Sequence, residues 1–151
     1  RPPRSTLDRS SAASDVYKRQ DYLDVRLLMM EGKWLQAAEK LEAVRAELID
    51  NNPHLRPQVY VSLVQCYEKL QKWDMVIQAA NEVPNDSSER LTALLAKATA
   101  FHRTRQFEKS RQHFDLVLDF YEKRRMDLDQ VVLLSYFRML LDQQQRLPGE
   151  I

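Results

Sequence analysis

The chain has 151 residues, with 23 lysines and arginines against 22 aspartates and glutamates, two glycines and one cysteine. This length favours one domain. The widely separated glycines, Gly32 and Gly149, exclude a glycine-rich phosphate loop, and the single cysteine excludes an intramolecular disulfide framework or a thiolate-rich zinc site. The longest apolar run, residues 131–134, is too short to cross a membrane.

Residues 1–20 share no pattern with the rest of the chain. They are rich in Arg, Ser and Pro, and they lack the continuous apolar stretch of a signal peptide. They are either a disordered basic tail or an artefact, because the SAASDVYKRQ stretch resembles a translated sequencing-adapter read-through. We favour the artefact. Without this segment the chain has 18 positive and 20 negative side chains, so net charge gives no support for nucleic-acid binding.

From residue 21 onward, apolar side chains recur with helical spacing, and no stretch shows sustained strand alternation. The pattern predicts seven helices, at about 17–31, 34–50, 57–70, 73–83, 87–104, 107–125 and 127–146. Asp86 or Ser87 is expected to cap the fifth helix, and Asp127 and Asp129 lie where the seventh would be capped. The Pro148-Gly149 pair is expected to end the seventh helix.

Three segments, EGKWLQAAEKL, LQKWDMVIQAA and TRQFEKSRQHF, repeat one pattern. Each places an aromatic residue (Trp34, Trp73 or Phe107) after a short polar turn and a slim residue three positions later. The intervals of 39 and 34 residues between the aromatics are typical of paired-helix repeats, in which each pair exposes an apolar face for the next to cover.

The segment 21–151 therefore resembles a tetratricopeptide-repeat protein. The phrases LLMMEGKWLQAAEKLEAVR and LVQCYEKLQ are similar to repeats in large tetratricopeptide proteins of environmental bacteria such as planctomycetes. The resemblance implies an all-α, right-handed solenoid of about three and a half stacked antiparallel helix pairs. We expect residues 21–151 to form one repeat domain that is truncated at its C-terminus.

The resemblance also implies a concave groove, lined by the first helix of each pair, that binds a peptide or a partner domain. The residues expected to line it are Tyr22, Arg26, Met29, Gln58, Val61, Gln65, Glu68, Thr92, Leu95, Thr99, His102, Val132, Ser135, Met139 and Asp142. Some members of the family clamp the terminal carboxylate of chaperone tails with a Lys/Asn/Arg set. Val61, Gln65, Leu95 and Thr99 stand at those places here, which disfavours a chaperone co-factor.

The residues give little support for metal binding, catalysis or RNA binding. His102 and His113 lack a third ligand for a metal, and Cys66 lies on an apolar stripe as a buried thiol would. No nucleophile, base and orienting group converge, so we expect neither an enzyme nor a cofactor. The basic stretch around Arg103 contains Phe101 and Phe107, which superficially suggests RNA stacking, but both rings belong to the repeat core.

The sequence thus predicts a protein–protein interaction scaffold. The alternatives are a repeat arm of a larger enzyme or regulator and, less favoured, a nucleic-acid-binding helical repeat. A cytoplasmic location is the default expectation, and a periplasmic one stays open. The uncovered apolar faces of the terminal pairs, with Leu133, Leu134, Phe137 and Leu140 at one end, predict self-association.

Overall fold

The computed structural model describes residues 19–150, with side chains for residues 19–145. The expectations about the N-terminal segment therefore lie outside the described residues up to position 18. The described part contains seven helices and no strand. They are α1 (19–30), α2 (Trp34–Asn51), α3 (Arg56–Lys69), α4 (Trp73–Asn81), α5 (Arg90–Arg103), α6 (Phe107–Lys123) and α7 (Gln130–Glu150), with a short 3-10 turn (Pro53–Leu55) before α3.

The start of α5 differs from the expectation. The helix begins at Arg90, and no side chain caps it, so the predicted cap at Asp86 or Ser87 is wrong. The Ser87 hydroxyl instead donates a 2.8 Å hydrogen bond to the carbonyl oxygen of Pro84. A short serine side chain that is engaged in a local turn is not available to a helix amide.

The two ends of α7 give one confirmation and one correction. The carboxylate of Asp129 accepts a 2.8 Å hydrogen bond from the backbone amide of Val131, which confirms a cap at this position. The helix continues through Pro148 and Gly149 to Glu150, so the expected end is wrong. The fixed φ of proline is close to the helical value, and the ring removes a single amide hydrogen.

Four turns between helices in the described part share one backbone geometry. Each contains a residue in the left-handed region: Gly32 (φ 76°), Gln71 (57°), Arg105 (60°) and Arg125 (52°). The amide of the next residue donates to the carbonyl five positions back, over 2.9, 2.9, 2.8 and 3.0 Å respectively, as in a Schellman turn. In the first three turns the repeating aromatic follows two positions after the left-handed residue. The sequence repeat is therefore also a repeat of backbone structure.

The helices pack in chain order. From α2 to α7 each helix contacts the next, and α3 also packs against α5, and α5 against α7. Tyr22 and Arg26 of α1 both reach Ser62 of α3. The odd-numbered helices are therefore direct neighbours in the order α1, α3, α5 and α7.

The buried apolar residues form one large and two small clusters, and α5 contributes to all of them. The large cluster joins α1 to α4 and includes Ala93, Ala96 and Ala100 of α5. The two small clusters lie beyond α5, where Leu94 and Ala98 face α6 and α7. Helix α5 thus separates the large cluster on one of its sides from the two small clusters on the other.

Candidate functional site

A cavity of about 410 Å³ lies between α1 and α3, and we name it the first cavity. It is lined by Tyr22, Arg26, Gln58, Val61, Ser62, Gln65 and Glu89. The Arg26 guanidinium donates a 3.2 Å hydrogen bond to the Ser62 hydroxyl, and the Tyr22 hydroxyl lies 3.5 Å from the same oxygen. Five residues that the sequence assigned to the groove thus meet in one place.

A second cavity of about 290 Å³ lies between α5 and α7, with one wall from α6. It is lined by Thr99, His102, Arg103, Phe114, Val131, Leu134, Ser135 and Arg138. Thr99, His102 and Ser135 were expected in the groove. The sequence indicated Arg103 only as part of a basic stretch and Leu134 only as part of an uncovered apolar face. It did not indicate Arg138 or Val131.

His102 connects α5 with α7 at the edge of the second cavity. Its Nε2 atom lies 2.6 Å from a carboxylate oxygen of Asp142, and the carboxylate accepts the hydrogen bond. The sequence placed both residues in the groove, but it gave no sign that they pair. Their contact holds the middle of α7 against the end of α5.

Three expected lining residues are buried in the core instead. Met29, Val132 and Met139 are 7%, 3% and 0% exposed, so their assignment to the groove is wrong. Met29 packs in the large cluster, and its flexible thioether fills space between helices. On α7 the residues that line the second cavity include Val131 and Arg138. They come one position before Val132 and Met139, the two buried residues that were expected in the groove.

The remaining expected residues line neither cavity. Glu68 is half-buried, and burial raises the pKa of its carboxyl group while Lys69 lowers it. Thr92 is exposed, and Leu95 is half-buried against the two small clusters. We find no shared site for these three side chains.

The basic stretch that resembled an RNA-binding pattern is spread over several faces. Three of its cations lie over three different aromatic rings: Arg103 at 6.0 Å from Trp73, Arg105 at 5.6 Å from Phe107 and Lys109 at 5.7 Å from Phe101. Phosphate binding needs several cations on one surface. Of these three, Arg103 lines the second cavity.

Cys66 and His113 both pack against other side chains of the fold. The Cys66 thiol is buried in the large cluster, as expected, and burial raises its pKa to about 11. The His113 ring packs 5.0 Å from the Phe101 ring and donates from Nδ1 to the Lys109 carbonyl over 2.8 Å. Burial lowers the pKa of His113 below 6.5, although the hydrogen bond to Lys109 opposes this effect.

Within the described residues, no helix combines the length and the apolar character that a membrane crossing requires. The same residues contain no group of three His, Cys, Asp or Glu side chains suited to hold a metal ion.

The fold is that of an all-helical protein with repeated helix–turn–helix geometry, and no family model matches the chain. Over 96 residues, the chain is 30% identical to lipopolysaccharide assembly protein B of Haemophilus influenzae. This alignment covers 61% of the chain and 23% of that protein. The chain therefore spans less than a quarter of the length of the relative it matches.

Proposed function

We propose that this chain is a right-handed solenoid of tetratricopeptide-type helix pairs whose concave face binds a segment of a partner protein. The observation that carries the proposal is the first cavity, because five groove residues assigned from the sequence line it together. Four of these five side chains are polar, and Val61 is apolar. Such a mixture suits an extended or helical peptide that is held by shape and scattered hydrogen bonds.

The packing of the helices supports the solenoid. The Schellman turns at Gly32, Gln71 and Arg105 each join the first helix of a pair to the second. Because the three turns share one backbone geometry, the second helix leaves the first in a similar direction in each pair. The odd-numbered helices then lie side by side and form a continuous inner surface, as in stacked-pair repeats. Both cavities open between odd-numbered helices, so a linear partner on this surface would pass over both.

We further propose that the role is recruitment and not catalysis. The first cavity presents amides, hydroxyls, a guanidinium and one carboxylate, and it lacks the nucleophile, base and orienting group that a catalytic site combines. The similarity to a protein named for lipopolysaccharide assembly also supports an interaction role.

The test is selection of peptides from a random library on the purified chain, followed by affinity measurements. Gln65→Arg places a long charged side chain in the first cavity, whereas Gln112→Arg makes the same change at an exposed position of α6. We expect Gln65→Arg to weaken the selected peptides about tenfold or more, which corresponds to about 1.4 kcal/mol, and Gln112→Arg to leave them unchanged. Equal binding by both variants, or no saturable peptide, would refute the proposal.

A further inference from the structure

The two cavities differ in charge. The first is lined by one cation, Arg26, and one anion, Glu89. The second is lined by Arg103 and Arg138, and no carboxylate is among its lining residues. Within the described residues neither guanidinium forms an ion pair, and both side chains are exposed. The Arg103 guanidinium lies 6.0 Å from the Trp73 ring, a contact that a carboxylate ligand would have to compete with.

The second cavity also exposes large apolar side chains. Val131 and Leu134 are each 67% exposed, and both lie on the lining face of α7. The buried ring of Phe114 forms part of the wall. Apolar surface beside two guanidiniums suits a recognition site, because burial supplies affinity while the charges select and orient the ligand.

Helix packing fixes the backbone positions of the two arginines. Arg103 lies at the end of α5, and Arg138 lies on α7, one turn from the Asp142 carboxylate that pairs with His102. Because the His102–Asp142 contact joins these helices, the cavity is formed before a ligand arrives. A preformed site loses less entropy on binding.

We propose that the second cavity binds an internal acidic segment of a partner protein that carries a bulky apolar side chain. Carboxylate side chains of the segment pair with Arg103 and Arg138, and its apolar side chain packs on Val131 and Leu134. This inference rests on the proposed function and specifies the chemistry of the partner. A nucleic acid fits less well, because two guanidiniums beside exposed aliphatic surface do not follow an extended phosphate backbone.

The test uses a fluorescein-labelled peptide of glutamate and leucine with both ends blocked, so that only side chains carry charge. Its control is the same peptide with glutamine for glutamate. Fluorescence anisotropy is measured with the unmodified chain and with Arg103→Gln and Arg138→Gln. The matched control is Arg124→Gln, at an exposed position that lines neither cavity. Circular dichroism checks that each variant keeps its helical content.

We expect saturable binding of the acidic peptide, weaker by fivefold or more in Arg103→Gln and in Arg138→Gln and unchanged in Arg124→Gln. Added salt should weaken it, because the charges lie at a solvent-exposed edge. The glutamine peptide should bind at least fivefold more weakly.

Several results would overturn the assignment: equal binding of the two peptides, an equal loss of binding in Arg124→Gln, or equal competition by a single-stranded RNA of the same charge. If the acidic peptide fails to bind while library-selected peptides still depend on Gln65, this inference fails and the proposed function stands. If both fail, the proposed function is also refuted.

Discussion

The left-handed turn positions allow a pair of reciprocal substitutions. Gly32 and Gln71 occupy equivalent places, two residues before Trp34 and Trp73, with φ of 76° and 57°. Glycine adopts this conformation without strain, whereas a residue with a β-carbon is strained there. We therefore expect Gly32→Ala to destabilise the fold and Gln71→Gly to stabilise it.

The magnitude follows from the surroundings of each residue. A β-carbon at Gly32 would meet no atom within 4 Å, so the cost is conformational and not a steric clash with neighbours. Left-handed backbone costs an L-residue roughly 1–2 kcal/mol, and the loss of glycine's freedom in the unfolded chain offsets about 0.4–1 kcal/mol of this. The net loss for Gly32→Ala is about 1 kcal/mol.

Thermal and urea unfolding, followed by circular dichroism at 222 nm (the usual helix band), measure these changes. At this chain length a change of about 1 kcal/mol shifts the Tm by roughly 2–4 °C. Gln71→Ala removes the exposed side chain but keeps the strain, so the comparison of Gln71→Ala with Gln71→Gly isolates the backbone effect. Our reasoning is wrong if Gly32→Ala melts like the unmodified chain, or if Gln71→Gly is less stable than Gln71→Ala.

Four further predictions concern buried groups and an exposed face. Phe114→Ala removes a buried ring at the junction of α5, α6 and α7 and should lower the free energy of unfolding by about 3–5 kcal/mol. The control Leu116→Ala, on the exposed side of α6, should lower it by under about 1 kcal/mol. Similar urea midpoints for the two variants would contradict this prediction. The Cys66 thiol, with a pKa of about 11, should resist iodoacetamide at pH 8 until guanidinium unfolds the chain, and rapid native labelling would disagree. Folding lowers the pKa of His113, so the unfolded chain binds this proton more readily and the free energy of unfolding should decrease as pH falls below 6.5. His113→Gln should flatten that decrease, and an unchanged pH slope in this variant would count against the prediction. Phe137→Ser should reduce the concentration dependence of the mass measured by light scattering, because the ring belongs to an exposed apolar face of α7, and a monomer at every concentration would refute self-association.

The sequence predicted the helices, and five of the residues that it assigned to the groove lie together, for a clear physical reason. Trp34 and Trp73 follow identical turns, and each fixes the phase of the helix pair around it. Once that phase is set, Arg26 and Gln65 occupy matching places on the first helices, and both line the cavity.

Two of the three residues wrongly assigned to the groove lie where this information ends. The third, Met29, packs in the large cluster although Trp34 follows it five positions later. No repeating aromatic follows α7, so the phase of that helix had no anchor, and Val132 and Met139 were placed on the groove face although they are buried. Hydrophobic periodicity carries no information about polar contacts between distant residues. The His102–Asp142 contact, which joins residues 40 positions apart, could not be predicted from it.

The alanines of α5 have a mechanical consequence. Ala93, Ala96 and Ala100 present only methyl groups to the large cluster, whereas the other side of α5 faces the bulky side chains of α6 and α7, Phe114 among them. Because only methyl groups project here, α5 can approach its neighbours closely, and little space is left in the seam. A larger side chain at any of these three positions would overpack it and push apart the helices that carry the first and the second cavity.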